Sequence, residues 1–455
     1  MKSYDVSVIG LGRVGLTLAV AMAEAGLKTF GVETRPDVVD LVNRGKPHFE
    51  EAGLDEAVLR AALSGRLKAA AAFPADVDCD AYVIAVGAPL GADGAAQTDM
   101  IAAAARAIAA DMADGALVVL RSTVKVGVAR TVVAPILAAS GKRFQIAVCP
   151  ERALQGCALE EIATLPQIVG ADDEATRRRA GALFGMLTDM IVPVSSLETA
   201  ETIKLVDNAY RDVRFAFANE VARFCDAAGV NGREVIVAGK RGYERTAVPT
   251  PGLVGGACME TDPRMFVASG RDLGLDLEVA QAGRRVNARQ PEETVRFIVA
   301  EMARRQMPAD APVAILGMAF KGRPETDDLR GSMSLKVLEA IRAARPDAPI
   351  RAYDPAFEPD ALAAQLPGVK IAAHARTAIR GAAVTIIANN HPEFGRRIPQ
   401  DLTRAMAPGG FVYDYWNHFS DRAAPDYFAV GATRRPATEP VGTPAEIVRL
   451  FSAIG

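Results

Sequence analysis

The sequence has few cysteines, almost no excess of charge and no long apolar run. Its five cysteines are odd in number and include no CxxC pair, which argues against a disulfide framework and a cysteine zinc site. A net charge of -3 provides no basic surface for nucleic acid. The chain contains no run of about 18 apolar residues, and MKSYDVSVIG lacks the pattern of a signal peptide. We therefore expect reduced thiols, no metal, a cytoplasmic location and a small-molecule partner, without nucleic acid or membrane.

Strand-like and helical patterns alternate in two separate parts of the chain. From Tyr4 to about Val194, apolar runs such as YDVSVIG, TFGVE, AYVIAVG, ALVVLRS and FQIAVCP are separated by Ala-rich helical stretches. A second series contains PVAILGM, PIRAYDP, AVTIIAN and GFVYDY. This alternation is typical of βαβ units on a parallel sheet. The predicted fold class is α/β, with two Rossmann-like doubly wound domains.

The segment between the two series has few strand signals and one long helical pattern. Ser195-x-x-Glu198 has the form of a capping box at its start, and Gly229 marks its end. The sequence therefore predicts a long central helix within an α-helical middle domain. Because 455 residues exceed what one hydrophobic core usually holds, we predict three domains, at residues 1–195, 196–308 and 309–455.

A glycine-rich turn follows the first predicted strand. The segment Gly10-Leu11-Gly12-Arg13-Val14-Gly15 leads into a helical run, so its backbone can approach a pyrophosphate at the helix N-terminus. Glu33 ends the next strand, where an acid accepts hydrogen bonds from ribose hydroxyls and repels a 2′-phosphate. NAD is therefore favoured over NADP, although Arg35 stands nearby. The simpler alternative is a tight turn beside a surface acid.

Polar residues recur on one side of the central helix. Lys204, Asn208, Arg211 and Asn219 share a helical spacing in a segment otherwise rich in apolar residues. A solvated helix face is the simpler explanation of such a stripe.

A cysteine stands directly after a glycine turn in PGLVGGACMETD, where Asp262 follows Cys258. A turn at a helix start can lower the pKa of a thiol and present it to a bound carbonyl. A lone cysteine is more often a small buried apolar residue, so this motif alone leaves both possibilities open.

Taken together, the motifs resemble the UDP-glucose/UDP-N-acetylmannosamine dehydrogenase family, in the right order from residue 4 to about 420. The segments that carry the resemblance are GLGRVGL, Ser122-Thr123-Val124, Pro150-Glu151-Arg152, KLVDN with RDVRFAFANE, GGACMETD, and AFK with TDDLRGS. The resemblance implies a homodimer that oxidises the C6 hydroxyl of a UDP-sugar to a carboxylate with NAD.

The resemblance also implies a set of catalytic residues. Cys258 would bind the intermediate aldehyde as a thiohemiacetal that is then oxidised to a thioester, while Lys204 and Asn208 stabilise oxyanions at C6. Asp262 and Thr123 match residues that hold the water and assist proton transfer. The complete predicted catalytic set is Cys258, Lys204, Asn208, Asp262, Thr123 and Glu151, with Glu151 acting in thioester hydrolysis.

Further positions match ligand-binding residues of the family. For the cofactor these are Gly10, Gly12, Val14, Gly15, Glu33, Thr123 and Arg330. For the substrate they are Glu151, Arg152, Lys204, Asn208, Arg211, Arg245, Gly255 and Lys321. Arg245 would act on the substrate of the neighbouring subunit. Asp414 and Asn417, in the divergent segment YDYWNHF, are candidates for contact with the UDP moiety.

The substrate prediction rests on the branch of the family that the motifs resemble most. Pro150-Glu151-Arg152, Arg211-Asp212-Val213 and AFANE resemble enzymes acting on UDP-N-acetylhexosamines, with UDP-N-acetylmannosamine preferred. Arg152 or Arg211 would bind the amide carbonyl of the sugar, unless both pair with acids such as Asp207.

Three other functions remain open from the sequence. The chain could be a UDP-glucose 6-dehydrogenase, or a two-electron enzyme such as a 3-hydroxyacid or 6-phosphogluconate dehydrogenase. It could also be a nucleotide-sugar-binding protein that has lost catalysis. The two-electron enzymes have no use for Cys258 or a second α/β domain, and a binding protein would not need the complete catalytic set.

Overall fold

An eight-stranded sheet forms the first part of the molecule. The computed structural model describes residues 3–74, 77–91, 96–396, 399–419 and 426–433. The strands are β1 (Tyr4–Ile9), β2 (Thr29–Val32), β3 (Leu67–Ala70), β4 (Cys79–Ile84), β5 (Ala116–Leu120), β6 (Phe144–Val148), β7 (Gln167–Gly170) and β8 (Ile191–Val194). Their order is β3-β2-β1-β4-β5-β6-β7-β8. Strands β1 to β6 pair in parallel, whereas β7 is antiparallel to β6 and parallel to β8.

Helices cover both faces of this sheet. They are α1 (Arg13–Glu24), α2 (Pro36–Asn43), α3 (Leu54–Leu63), α4 (Asp99–Asp111), a π-helical turn (Ala129–Val133), α5 (Ala134–Ala138), α6 (Ala158–Thr164) and α7 (Glu174–Phe184). Strand β5 shows why its sequence is apolar throughout: Leu117 and Val119 pack in one core, and Val118 and Leu120 pack in the core on the opposite face.

Four helices follow without an intervening strand. They are α8 (Leu197–Ala228), α9 (Gly232–Lys240), α10 (Ala257–Asp272) and α11 (Glu278–Arg304). The N-cap of α8 is Ser196, whose hydroxyl accepts a hydrogen bond from the Thr199 N–H at 3.1 Å. The predicted start at Ser195 was therefore wrong by one residue. Helix α8 ends, as predicted, at Gly229, which has a φ of 73°.

A six-stranded parallel sheet forms the third part. Its strands are β9 (Val313–Leu316), β10 (Ile350–Tyr353), β11 (Lys370–Ile371), β12 (Val384–Ile387), β13 (Phe411–Asp414) and β14 (Tyr427–Ala429), in the order β11-β10-β9-β12-β13-β14. Its helices are α12 (Met333–Ala344), α13 (Pro359–Gln365), α14 (Ala375–Ile379) and α15 (Pro399–Ala405), and Phe394–Arg396 form a 3-10 turn.

Helix α8 joins the two sheets physically. Leu197 and Ala200, near its start, pack in a core of the first sheet, and Ala222, near its end, packs in the core of the second. The predicted α/β class, with two doubly wound sheets and a helical segment between them, is confirmed. Among the helices of the described ranges, none combines the length and apolarity that a bilayer crossing requires.

Candidate active site

The turn between β1 and α1 leaves room for a phosphate group. A Cβ on Gly15 would lie 1.8 Å from the carbonyl oxygen of Gly10, so this position requires glycine. A Cβ on Gly12 would meet nothing within 4 Å, so the space beside Gly12 is open. No side chain caps the start of α1, where Val14 lies in the first helical turn. Open space at an uncapped helix N-terminus fits the pyrophosphate of a dinucleotide.

Glu33 lies beside this turn. It is 8% exposed, so the interpretation as a surface acid is wrong. Its carboxylate accepts hydrogen bonds from the Leu11 N–H at 3.0 Å and the Arg35 N–H at 3.1 Å. The Arg35 guanidinium Nε lies 3.3 Å from the same carboxylate. Because Glu33 already balances the charge of Arg35, the arrangement fits a dinucleotide without a 2′-phosphate.

Cys258 is the second residue of α10, after a glycine turn that packs against the third part of the molecule. The Gly256 N–H donates to the Gly331 carbonyl at 2.8 Å. A Cβ on Gly255 would lie 2.4 Å from the same oxygen, so a side chain there would separate the two loops. Cys258 is exposed, in contrast to the buried apolar residue that a lone cysteine usually represents.

Two buried polar side chains hold the turn that leads to Cys258. Asn219, on α8, exchanges hydrogen bonds of 3.1 and 3.0 Å with the backbone of Gly252. Arg284, on α11, donates to the carbonyls of Val254 at 3.1 Å and Met259 at 2.7 Å. Arg284 was not predicted from the sequence, because nothing near it in the chain indicates that its partners lie on another element.

Three predicted catalytic residues form one cluster beside Cys258. The Asn208 amide donates to the Asp262 carboxylate at 2.6 Å, and the Lys204 ammonium lies 4.0 Å from the same oxygen. Lys204, Asn208 and Asp262 are 8%, 4% and 2% exposed. The solvated-face interpretation is therefore wrong for Lys204 and Asn208, as it is for Asn219. Arg211 is exposed, and its guanidinium lies 3.4 Å from the Asn208 amide oxygen.

The protein atoms around Cys258 disfavour its ionised form. Although solvent reaches the residue, burial within the cleft raises the pKa of the Cys258 thiol, and the charge of Lys204 only partly opposes this. The expected lowering of the thiol pKa at a helix start was therefore wrong. Burial also raises the pKa of Asp262, against the charge of Lys204 and the hydrogen bond from Asn208.

The pKa of Glu151 is lowered, in contrast to the raised pKa values of Cys258 and Asp262. Burial would raise the pKa of its carboxyl, but the charge of Arg121, the Ala153 N–H and Lys204 together hold that pKa below its usual value. Arg121, which directly follows β5, donates to one carboxylate oxygen at 2.5 and 3.1 Å, and the Ala153 N–H donates to the other at 2.7 Å. Arg121 was not predicted, although a charged residue at the end of the fully buried run ALVVL was a signal for it.

Two predicted substrate residues are already engaged within the chain. Arg152 lies 3.2 Å from the Asp207 carboxylate and donates to the Pro166 carbonyl at 2.8 Å. The ion-pair interpretation therefore describes Arg152 in this structure. Lys321 donates to the Gln155 carbonyl, and burial lowers the pKa of Lys321 to about 8.

The remaining predicted residues lie at the edge of this cluster or outside it. Thr123 follows β5 and is half-buried. Arg330 pairs with the Asp328 carboxylate at 2.7 Å, close enough to Cys258 for its charge to act on the thiol. Arg245 stacks on the Tyr243 ring at 5.4 Å, and within the described ranges no hydrogen bond or ion pair joins it to the cluster.

Asp414, a candidate for contact with the UDP moiety, is engaged by hydrogen bonds within the chain. It is fully buried and accepts hydrogen bonds from the Trp416 N–H, the His418 N–H and the Tyr427 hydroxyl. The neighbouring Asn417 has a φ of 49° in the tight turn that these bonds stabilise.

The fold and the site together define a dinucleotide-dependent dehydrogenase. The first sheet provides a glycine turn with an acid on the next strand, which is the arrangement that binds dinucleotides. Polar residues of α8 and α10 converge next to that sheet, beside an exposed cysteine. The described residues contain no cluster of three or more His, Cys, Asp or Glu that could hold a metal ion.

Comparison with known proteins identifies the family. Residues 4–188 match the NAD binding domain of the UDP-glucose/GDP-mannose dehydrogenase family, residues 198–289 match its central domain, and residues 314–421 match its UDP binding domain. The chain belongs to the UDP-glucose/GDP-mannose dehydrogenase family. It is an NAD-dependent nucleotide-sugar dehydrogenase, which decides against the 3-hydroxyacid and 6-phosphogluconate alternatives and against a binding protein without activity.

Individual relatives agree over nearly the whole chain. The chain is 30% identical to the UDP-N-acetyl-D-mannosamine dehydrogenase of Pyrococcus horikoshii, over 86% of this chain and 90% of the relative. It is 32% identical to the Salmonella typhimurium protein of the same name, over 88% and 96%. Its structure resembles that of the Pyrococcus horikoshii enzyme, with a TM-score of 0.84 and 28% identity over 94% and 99% of the two chains. It equally resembles a UDP-glucose dehydrogenase from Pyrobaculum islandicum, with a TM-score of 0.83 and 30% identity over 94% and 98%.

Proposed function

We propose that the chain oxidises the C6 hydroxyl of a UDP-N-acetylhexosamine to a carboxylate, through a covalent intermediate on Cys258. The observation that carries this proposal is the cluster of Lys204, Asn208 and Asp262 around an exposed cysteine at the start of α10. When bound, NAD accepts one hydride from C6 in each of two successive oxidations.

In the first oxidation, the hydroxyl of the substrate loses its proton while C6 loses a hydride. The Lys204 ammonium and the Asn208 amide stabilise the negative charge that develops on the C6 oxygen. Asp262 is suited to accept the proton, because its raised pKa brings its titration closer to neutral pH.

In the second stage, the Cys258 sulfur attacks the aldehyde carbon and forms a C–S bond. Asp262 first releases to solvent the proton taken from the C6 hydroxyl and then accepts the thiol proton, while the carbonyl oxygen becomes the thiohemiacetal oxygen next to Lys204 and Asn208. Loss of the second hydride gives a thioester, so the aldehyde is never free in solution.

Hydrolysis releases the acid. Glu151 is ionised and held by Arg121 and the Ala153 N–H, so it can accept a proton from a water molecule positioned with the help of Thr123. The water oxygen attacks the thioester carbon, the C–S bond breaks and the sulfur leaves as the thiolate.

The N-acetylated substrate is supported by the relatives named UDP-N-acetyl-D-mannosamine dehydrogenase and by one exposed arginine. Arg152 is engaged by Asp207, whereas the exposed Arg211 forms a hydrogen bond only with Asn208 among the described residues. Arg211 is therefore the arginine available for the amide carbonyl. UDP-glucose is the second candidate, because the Pyrobaculum islandicum structure of that name is similar throughout.

The substrate proposal is tested by assaying UDP-N-acetylmannosamine, UDP-N-acetylglucosamine and UDP-glucose side by side. An unpaired arginine disfavours glucose by about 1 to 3 kcal/mol, so we expect kcat/KM to favour an N-acetylated sugar by about 5-fold to 160-fold. In Arg211→Met this preference should shrink. Arg152→Met, whose guanidinium already has partners, is the matched control. A highest kcat/KM for UDP-glucose would contradict the substrate proposal and leave the family unchanged.

A homodimer formed through α8 accounts for Arg245. Large side chains of α8 are exposed, among them Tyr210 at 61%, Phe217 at 56% and Phe224 at 71%. Exposed apolar residues along one helix favour a protein contact. In such a dimer Arg245 would reach the substrate of the partner subunit, which is consistent with its separation from the cluster in its own chain.

The division into domains and the cellular location remain proposals. The family matches at residues 4–188, 198–289 and 314–421 fall within the predicted domains 1–195, 196–308 and 309–455, which supports boundaries close to 195 and 308. All five cysteines are free thiols, which supports a reducing compartment such as the cytoplasm.

A further inference from the structure

A charged bridge connects the cofactor turn with the UDP-binding part of the chain. Arg13 is the first residue of α1 and lies within the glycine turn. Its guanidinium Nη2 lies 2.5 Å from the Asp327 carboxylate, and its Nε lies 3.5 Å from the Asp328 carboxylate. Both acids belong to the segment between β9 and α12, so the bridge spans from the first sheet to the loops of the second.

Contacts from the first part of the molecule fix both partners of the bridge. The Arg13 guanidinium carbon lies 4.8 Å from the Phe49 ring centroid, and Nη1 donates to the Glu50 carbonyl at 3.4 Å. The Asp327 carboxylate accepts the Glu50 N–H at 3.3 Å. The side chains of Arg13 and Asp327 are 18% and 22% exposed. A partly buried pair with several fixed contacts holds its geometry better than a mobile surface pair.

The segment that Arg13 holds continues directly to the loop of Cys258. Asp328 accepts hydrogen bonds from the backbone N–H of Arg330 at 2.9 Å and from its guanidinium at 2.7 Å. The next residue, Gly331, accepts the Gly256 N–H at 2.8 Å, two residues before Cys258. A displacement of the 327–331 segment would therefore disturb the cysteine turn as well as the cofactor turn.

We propose that Arg13 is a positioning residue that couples the two ligand sites, by holding the 327–331 segment against the turn that binds the dinucleotide. The proposal rests on the proposed function, because it requires that NAD binds at the first sheet and the UDP moiety at the second. When one ligand orders one side of the bridge, the protein has already lost part of its conformational entropy, so the second ligand binds with a smaller entropy loss. By reciprocity, NAD and UDP then strengthen each other's binding by the same factor.

Arg13 has one alternative role, that of a direct ligand of the pyrophosphate. It stands at the N-terminus of α1, where a guanidinium would also attract phosphate. The two roles differ in what Asp327 does. If Arg13 acts through Asp327, both residues are needed for coupling. If Arg13 only binds phosphate, removing Asp327 leaves the coupling intact.

The test is a double-mutant cycle on the full-length protein. The dissociation constant of NAD is measured calorimetrically with and without saturating UDP for the wild type, Arg13→Met, Asp327→Asn and the double variant. In the wild type, saturating UDP should lower the dissociation constant of NAD by at least about 5-fold. In each single variant this coupling factor should fall to about 1, and in the double variant it should fall no further. Arg13→Lys should retain part of the wild-type factor.

A matched control comes from an ion pair within the first part of the chain. Arg60 and Glu24 lie 2.7 Å apart on α3 and α1, so Arg60→Met and Glu24→Gln remove similar charges without touching the bridge. These variants should keep the wild-type coupling. The proposal is overturned if wild-type NAD and UDP bind independently, or if Asp327→Asn keeps the coupling while Arg13→Met weakens NAD binding without UDP. Failure of either ligand to bind at all would contradict the proposed function instead.

Discussion

At the scale of single residues, Lys204 is the cation that acts most strongly on the Cys258 thiol. Burial raises the pKa of Cys258, and Lys204 lowers it. Removing the positive charge in Lys204→Met should raise the thiol pKa further and slow alkylation of Cys258 by iodoacetamide at neutral pH. The same substitution removes an oxyanion donor, so kcat should fall by about 100-fold to 1000-fold.

Alkylation is followed as a function of pH by mass spectrometry of the Cys258 peptide. Cys258→Ser gives the background from the other cysteines. Lys125→Met is the matched control, because Lys125 pairs with Asp272 at the far end of α10. A Lys204→Met profile that coincides with the wild-type profile would show that Lys204 does not act on the thiol.

A second residue-scale prediction concerns Arg121. It holds the pKa of Glu151 down, so the carboxylate is ionised above that lowered pKa and its function is lost only as the pH falls through it. Without Arg121 the Glu151 pKa rises, so the acid limb of the kcat profile in Arg121→Met should move to higher pH. Loss of a partner from this buried pair should also reduce the free energy of unfolding by about 3 to 5 kcal/mol.

Arg121→Lys separates the electrostatic role from the structural one. It retains the charge but loses the two-point contact with Glu151, so its acid limb should lie between those of the wild type and Arg121→Met. If both variants lose stability but keep the wild-type pH profile, Arg121 is structural and does not tune Glu151.

Local spacing could group residues within one helix face or motif, whereas the pairing of residues on different elements could not be read from spacing. Lys204 and Asn208 share a helix face, and Cys258 and Asp262 share a motif, so local spacing placed each pair together. Arg121 and Arg13 meet acids on other elements, Glu151 and Asp327. Those pairings arise only in the folded chain: Arg121 and Glu151 follow neighbouring strands of the first sheet, and Arg13 meets Asp327 where the first part of the molecule contacts the third.

At the scale of elements, helix α8 supports the cysteine turn through Asn219 and contains the proposed catalytic residues Lys204 and Asn208. Asn219 holds both backbone groups of Gly252, in the turn that leads to Cys258. Asn219→Ala should cost about 1 to 3 kcal/mol of unfolding free energy, because these buried groups lose their partners. It should also lower kcat, since the cysteine turn loses one of the two buried polar side chains that hold it.

The N-cap of the same helix provides the control. Ser196→Ala should cost about 1 kcal/mol of stability and leave kcat unchanged, since the cap lies about two helical turns before Lys204. Stability is measured by urea unfolding and kcat by NADH absorbance. If both variants lose stability but neither loses kcat, Asn219 does not support the active site.

Elements with a strong apolar pattern could be predicted, and weaker ones could not. The runs now seen as β1, β2, β4, β5, β6, β9, β10, β12 and β13 were all predicted. Strands β3, β8, β11 and β14 were not, because they lie at sheet edges, where only part of each strand is buried and the apolar pattern is weaker. Strand β7 reverses the direction of the sheet, which the βαβ rhythm does not indicate.

At the scale of the whole molecule, the proposed dimer predicts that two inactive variants complement each other. Cys258→Ala lacks the nucleophile and Arg245→Ala lacks the arginine given to the partner. In a mixed dimer, one site combines an intact cysteine with an intact partner arginine. Unfolding and refolding the two together should therefore restore about a quarter of wild-type activity, since about half of the dimers are mixed and each has one complete site.

The control mixes Cys258→Ala with Lys204→Met, two residues of the same cluster. Both residues belong to the site of their own subunit. In a mixed dimer one site lacks Cys258 and the other lacks Lys204, so neither site is complete. Activity should therefore stay at the background level. A monomer by light scattering at micromolar concentration, still fully active, would contradict the dimer proposal.

The central claim, a four-electron oxidation through Cys258, is tested most directly by counting NADH. A limiting, known amount of UDP-N-acetylmannosamine is converted to completion with excess NAD, and NADH is quantified by absorbance together with the sugar product by mass spectrometry. The account predicts two NADH per sugar, with the uronic acid as the product and no free aldehyde. A yield of one NADH per sugar, with the aldehyde as the final product, would contradict it.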